Sequence, residues 1–183
     1  MTDLTPMTAL GAAAPRVASF GPLTLAENVD VARASLALRK GAARPTPMGL
    51  TLPEPGDWVE AGGLAAFWIG PDQWMIEAEG RALENFAAEL AVQATGCSVT
   101  EQTDGFVNFE ITSNTGPAPV ERLLEKLVNI DLGNFAPGRA TRTGFEHMAI
   151  FVIRRAETRV AVIGMRSAAG GLWHAIAVAA ARI

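Results

Sequence analysis

Two histidines, one cysteine and a scatter of carboxylates and arginines are the residues of this 183-residue chain that could do chemistry. Their spacing argues against most of it. His147 follows Glu146, half of an acid–base or metal-ligand pair, but neighbouring residues of an extended chain point to opposite faces. The two side chains do not converge if that stretch is a strand, so His147 and His174 read as structural or surface histidines. Tetrahedral zinc takes three or four Cys, His or carboxylate ligands, and no such cluster is spaced along the chain. Cys97 could be a nucleophile, yet it opens an apolar-alternating stretch, where a free cysteine is a small buried hydrophobe. Asp72 could bind a ligand, although turn chemistry accounts for it fully. Trp68 and Trp74 could stack on a heterocycle, but large aromatics more often anchor a core or an interface. Arg139, Arg142 and Arg166 could gather around an anion, or stand as solvated or interfacial arginines. No G-x-G-x-x-G, G-x-x-x-x-G-K-[ST], G-x-S-x-G or H-E-x-x-H occurs, which removes the usual dinucleotide, phosphate, serine-nucleophile and zinc-protease signatures. A flavin held by other means stays open. The expected catalytic, cofactor-binding and metal-binding residues on this chain are none.

With 49% hydrophobic and 19% charged residues, the chain is more apolar and less charged than an average soluble domain. The surplus belongs in a large core or on a partner-facing surface, since monomers rarely expose big apolar patches. A net charge of −4 and the absence of a basic run with interleaved aromatics argue against nucleic acid or an anionic membrane as partner. Residues 1–14 contain Asp3 and no basic residue, so a secretory signal is not expected. No run approaches the roughly 18 apolar residues of a membrane span. One cysteine cannot form an internal disulfide, and a single thiol fits a reducing compartment. A soluble, cytoplasmic protein is expected.

The elements that must position these residues centre on Trp68-Ile69-Gly70-Pro71-Asp72-Gln73-Trp74-Met75-Ile76. Gly tolerates positive φ, Pro fixes φ near −65° and Asp can bond its own backbone, so this reads as two strands meeting at a tight corner. A hairpin is expected over 65–78. Residues 1–20, rich in Thr, Ala, Gly and Pro, read as a flexible tail, followed by one domain over 21–183. Leu23 to Glu27 alternates as a strand, and Val31 to Lys40, although rich in helix formers, is assigned to strand on its alternation. Pro45, Pro47, Pro53 and Pro55 leave room for one helical turn near Met48. A helix is expected over 81–95 with Leu83, Phe86, Leu90 and Ala94 on its buried face. Thr103-Asp104-Gly105 reads as the turn of a second hairpin joining 98–102 to 106–112. Pro117 opens a helix whose Val120, Leu123, Leu124 and Leu127 form an apolar stripe. Met148 to Ile153 reads as a strand buried on both faces, paired with Arg159 to Gly164. A last helix over 167–183, with Ser167 as N-cap, is apolar nearly all round, so a neighbour or its own domain must bury it. Hairpins alternating with helices make the class α+β with antiparallel sheets, not a doubly wound parallel sheet.

At this point several segments combine. Gly70-Pro71-Asp72-Gln73-Trp74-Met75 and Val99-Thr100-Glu101-Gln102-Thr103-Asp104-Gly105-Phe106 resemble the gamma subunit of heterotetrameric sarcosine oxidase. Ile130-Asp131-Leu132, the stretch Phe135-Ala136-Pro137-Gly138-Arg139-Ala140-Thr141-Arg142-Thr143, Arg166-Ser167 and Leu23-Thr24-Leu25-Ala26-Glu27-Asn28 are similar too, so the resemblance spans roughly residues 15–182. Residues 41–57 depart from it, with prolines where that family usually carries a helix. The resemblance implies a fold similar to the folate-binding domain of the glycine-cleavage aminomethyltransferase, with ferredoxin-like halves. It implies a non-catalytic structural subunit, partnered by alpha, beta and delta subunits, in a complex that demethylates sarcosine to glycine. FAD, FMN, NAD, zinc and tetrahydrofolate are then expected on the partners and no cofactor on this chain. Trp68, Gly70, Pro71, Asp72, Trp74 and Trp173 become expected structural or interface anchors. The alternatives are a stand-alone folate-binding or one-carbon transfer protein, with Asp104 or Asp131 as the pterin carboxylate, and a chaperone-like binder that assists flavin loading.

Overall fold

Leu23 and Leu25 alternate with Thr24 and Ala26, and this period-two pattern starts the first of two sheets. The computed structural model describes residues 6–183, so residues 1–5 of the expected flexible tail lie outside the described residues. Chain order begins with β1 (Val17–Phe20), β2 (Leu23–Asn28) and β3 (Val31–Leu38). After the proline-rich stretch come β4 (Trp58–Ala61), β5 (Leu64–Gly70), β6 (Gln73–Glu79) and helix α1 (Phe86–Gln93). Next are β7 (Cys97–Glu101), β8 (Phe106–Ser113) and α2 (Ala118–Leu127). Last come β9 (Arg139–Phe145), β10 (Met148–Ala156), β11 (Arg159–Met165) and α3 (Ala169–Ala180). The class is the α+β expected from the sequence, with two antiparallel sheets and three helices among the described residues.

The described chain packs as two compact units. The first takes the described part of Met1–Val29 together with Gly105–Pro137 and Arg142–Ile183. Its six-stranded sheet runs β1-β2-β8-β11-β10-β9. Leu25, Phe109, Ile111, Val152 and Val162 share one core with Val120, Leu123 and Leu124 of α2 and Leu172 and Ile176 of α3. The second unit takes Asp30–Asp104 with Gly138–Thr141. Its five-stranded sheet runs β4-β5-β6-β3-β7. Leu36, Ala66 and Ile76 share a separate core with Phe86 and Leu90 of α1 and with Leu50 and Leu52 of the proline-rich stretch. A 3-10 turn at Pro47–Gly49 is the single helical turn expected near Met48.

Several expectations need correction. The hairpin between 98–102 and 106–112 does not form: β7 pairs with β3 in one sheet, and β8 lies between β2 and β11 in the other. A two-residue hairpin turn of this type needs positive φ at both centres, and neither Asp104 nor Gly105 adopts one. Thr103–Gly105 instead forms a 3-10 turn, pinned by Thr103 N and Oγ1 donating to Glu101 Oε1 at 3.0 and 2.5 Å. The helix expected from residue 81 starts at Phe86, because Asn85 Oδ1 accepts from Ala88 N at 3.3 Å and caps it there. Leu83 therefore precedes the helix and is 93% exposed instead of buried. Ser167 is not an N-cap: Arg166–Ala168 make a 3-10 turn leading straight into α3, and Ala168 holds the cap position without a side-chain bond. Residues 17–20, read as part of the tail, form β1 against β2 in the register Val17↔Ala26. β4 and the hydrophilic β9 were not anticipated, since neither alternates cleanly.

Candidate functional site

The corner at the centre of the sequence reading forms as expected, with Gly70 paired to Gln73 across Pro71 and Asp72. Asp72 has φ 55°, and a proline followed by a positive φ is the pattern of a type II turn. Its carbonyl accepts from Leu38 N at 2.9 Å while its side chain is exposed, so the residue acts as a corner. Trp74 is buried, donates Nε1–H to Pro53 O at 2.9 Å and carries the Arg44 guanidinium 4.8 Å from its ring centre. Trp68, opposite it in register, is half-buried and packs against the same core. Trp173 of α3 is buried in the first unit, edge-on to Phe109 at 5.3 Å with the Arg16 guanidinium 5.4 Å from its ring.

The remaining candidates disperse into structural duties. Arg139 pairs with Asp57, Arg142 lies 5.9 Å over the Phe151 ring, and Arg166 Nη2 donates to Met7 O at 2.7 Å, so the three do not gather around an anion. Asp131 accepts from Gly133 N and Asn134 Nδ2 at 3.0 and 2.6 Å, which occupies both carboxylate oxygens locally. Asp104 is exposed on the 3-10 turn. Cys97 is buried, and burial pushes its thiol above the ordinary range, with Arg39 acting more weakly the other way. A thiol held protonated is a poor nucleophile. His147 does not sit in a strand: Glu146 and His147 are the two centres of the β9–β10 turn, with φ 43° and 68°. Two successive non-glycine residues at positive φ make a costly turn, and it places Glu146 beside α3.

Buried charges were missed by the sequence reading. Arg33 of β3 and Glu77 of β6 meet inside the second unit, Nε to Oε1 at 2.9 Å, with 2% and 3% of their side chains exposed. In the first unit Glu110 of β8 accepts from Asn108 Nδ2 and Arg155 Nε on one oxygen and from Arg159 Nε on the other, at 3.0–3.1 Å. Glu27 of β2, 4% exposed, accepts from the backbone N–H of Leu10 and Arg16 and so fastens the segment before β1. The available signal was a charge inside an apolar alternation, as in Trp-Met-Ile-Glu-Ala around Glu77. These carboxylates sit against guanidinium or backbone donors and tie strands and the N-terminal segment together. Among the described residues no three of His, Cys, Asp and Glu stand together to hold a metal ion. No helix among them is long and apolar enough to cross a membrane.

One cleft in the first unit remains chemically uncommitted. It is a half-open groove of about 390 Å³ where the end of α2, the flank of α3 and the β9–β10 turn converge. Leu127, Phe145, Ala175, Val178 and Ala179 supply its apolar surface. Lys126, Glu146, His174 and Arg182, all exposed, supply its polar rim. The sequence could not reveal it, because the lining comes from three separated segments.

No protein-family model and no curated protein matches the chain. Solved structures do. The described fold superposes on a chain of heterotetrameric sarcosine oxidase from Corynebacterium sp. U-96, determined with pyrrole 2-carboxylate, at a TM-score of 0.74. The resemblance read from the sequence holds in the fold. The match covers 91% of this chain and 87% of that one at 21% identity. The glycine cleavage system aminomethyltransferase T from Bartonella henselae superposes at a TM-score of 0.57 and 13% identity, over 82% of this chain. This chain spans only 44% of that protein's length.

Proposed function

We propose that the chain is the gamma-type, non-catalytic structural subunit of a heterotetrameric sarcosine oxidase, working in the cytoplasm beside alpha, beta and delta subunits. The observation that carries the reading is the extent of the fold match: it takes in 87% of a chain of such an oxidase but only 44% of the aminomethyltransferase. The fate of the candidate residues supports it. Trp74 and Trp173 are buried in cores, Cys97 is a protonated buried thiol, and Asp131 is consumed by its own loop. A stand-alone folate protein would need a free carboxylate presented in an aromatic pocket, and neither Asp104 nor Asp131 offers one. On this reading FAD, FMN, NAD, zinc and tetrahydrofolate belong to the partner subunits, and this chain contributes packing surface. Co-expression with the three partners tests it. Stoichiometric co-elution of all four chains through size exclusion is expected, with less assembled oxidase when this chain is omitted. An active oxidase that assembles fully without it, leaving this chain a stable separate species, overturns the reading.

A further inference from the structure

We propose that the groove between α2, α3 and the β9–β10 turn docks an acidic segment of a partner subunit, which seats one apolar side chain in the cleft. The inference rests on the subunit reading and gives that reading a contact surface. Three observations carry it.

The first is charge. The chain as a whole is at −4, yet the rim of this groove sets two permanent cations, Lys126 and Arg182, against one carboxylate, Glu146. Among the described residues neither cation has a carboxylate partner. A guanidinium presents a planar fork suited to a bidentate carboxylate, and an ammonium beside it favours a second acid. The second is the helix that forms the wall. α3 reads AGGLWHAIAVAA, without a single Asp, Glu, Lys or Arg. Gly170, Gly171, His174 and Val178 of that helix are nevertheless exposed. A helix facing water normally carries charge on its wet side, so this face is suited to cover by another chain. The third is size and form. A cleft of about 390 Å³ falls in the range that engulfs a compact group. A free small acid could meet Lys126 and Arg182 but would leave the rest of α3 bare. A segment of polypeptide meets the rim and covers the helix together, which selects it over a small molecule.

The test uses the tagged chain co-expressed with the alpha, beta and delta subunits. The double reversal Lys126→Glu/Arg182→Glu is expected to reduce recovery of the partners at least tenfold, and Lys126→Ala/Arg182→Ala to reduce it less. Both variants should keep the melting temperature and circular dichroism of the parent chain. Arg122→Glu, an exposed reversal on α2 outside the groove, should recover the partners normally. Raising salt from about 0.1 to about 1 M shortens the screening length from roughly 10 to roughly 3 Å and should weaken the parent complex but not the alanine variant's residual binding. Full recovery by the double reversal, while the parent chain also recovers its partners, overturns the groove and leaves the subunit reading standing. Failure of the parent chain to recover any partner overturns both. Self-association of the isolated chain that the reversals abolish assigns the groove to a second copy and overturns the proposal.

Discussion

The six-stranded sheet lays Leu25, Phe109, Val152 and Val162 against two helices, whereas the five-stranded sheet lays Leu36, Ala66 and Ile76 against one short helix and a proline-rich stretch. In the first unit α2 carries an apolar stripe opposite Glu121, Arg122, Glu125 and Lys126, the ordinary form of a surface helix. Its neighbour α3 is apolar on the side it buries and nearly uncharged on the side it exposes. The second unit packs residues 50–53 on its sheet instead, inserting Leu50 and Leu52 into the core and tying Pro53 O to Trp74. Proline lowers the conformational freedom such a stretch loses on folding, so a loop can do there what a helix does elsewhere. The comparison locates the unfinished surface. The second unit covers one face of its sheet with its own α1 and proline-rich stretch, while the first leaves a chargeless helix face and a groove whose rim cations have no carboxylate partner among the described residues.

If the five-stranded unit keeps a core of its own, disturbing its internal ties should cost stability there and leave the six-stranded unit's core amides protected. The largest effect is expected from Arg33→Met, which removes the guanidinium that meets Glu77 inside the unit. Breaking such a pair by one partner costs about 3–5 kcal/mol, to be read as a lowered denaturation midpoint. The double change Arg33→Met/Glu77→Leu should restore most of that loss, and failure to do so would mean the pair is more than an ion pair satisfied in place. Trp74→Phe comes next. It keeps an aromatic ring but removes the indole donor to Pro53 O, which Arg44 Nη2 still serves, a loss of about 0.5–1.5 kcal/mol, with faster hydrogen exchange expected first in β6 and the residues around 50–53. Loss of protection in β8 and β11 to the same extent would break the contrast between the two units.

The smallest effect is expected from acid. Burial works to raise the Glu101 carboxyl, but hydrogen bonds from Thr103 Oγ1 and from the N–H groups of Thr103, Ala87 and Gln102 outweigh it and hold the group below the ordinary range. A carboxyl lowered in the folded state adds stability that is complete above its unfolded value, about 4.3, and is lost as pH falls through the folded value. Denaturation midpoints measured from pH 5 downward should therefore fall less steeply in Glu101→Gln than in the parent. Parallel slopes would show that the cap between β7 and the start of α1 carries no pH dependence.

Several local signals were read correctly, whereas the strand pairing between distant segments was not. The stripe of α2 was legible because Val120, Leu123, Leu124 and Leu127 recur at helical spacing opposite charges. The Pro71–Asp72 corner and the pairing of β10 with β11 were legible because turn and strands are contiguous. The Asp104-Gly105 signal misled because pairing is decided by partners far along the chain: β8 bonds to β2 and β11, and β7 to β3. The Arg33–Glu77 pair was invisible for the same reason, since 44 residues separate its members. No alternation within either strand could disclose which charge would face which. The groove needed Lys126, Glu146 and Arg182 brought together from three segments, a juxtaposition that only the folded sheet supplies.

The chain contains four tryptophans and no tyrosine, and the indoles are divided unequally. Trp58, Trp68 and Trp74 belong to the second unit, and Trp173 stands alone in the first. Near-ultraviolet absorption and emission are therefore labels already installed by the sequence, three on one unit and one on the other. A chain carrying Trp173→Phe would fluoresce from the five-stranded unit only. A chain retaining Trp173 as its sole indole would turn α3 into a built-in optical probe, placed on the same helix that walls the groove.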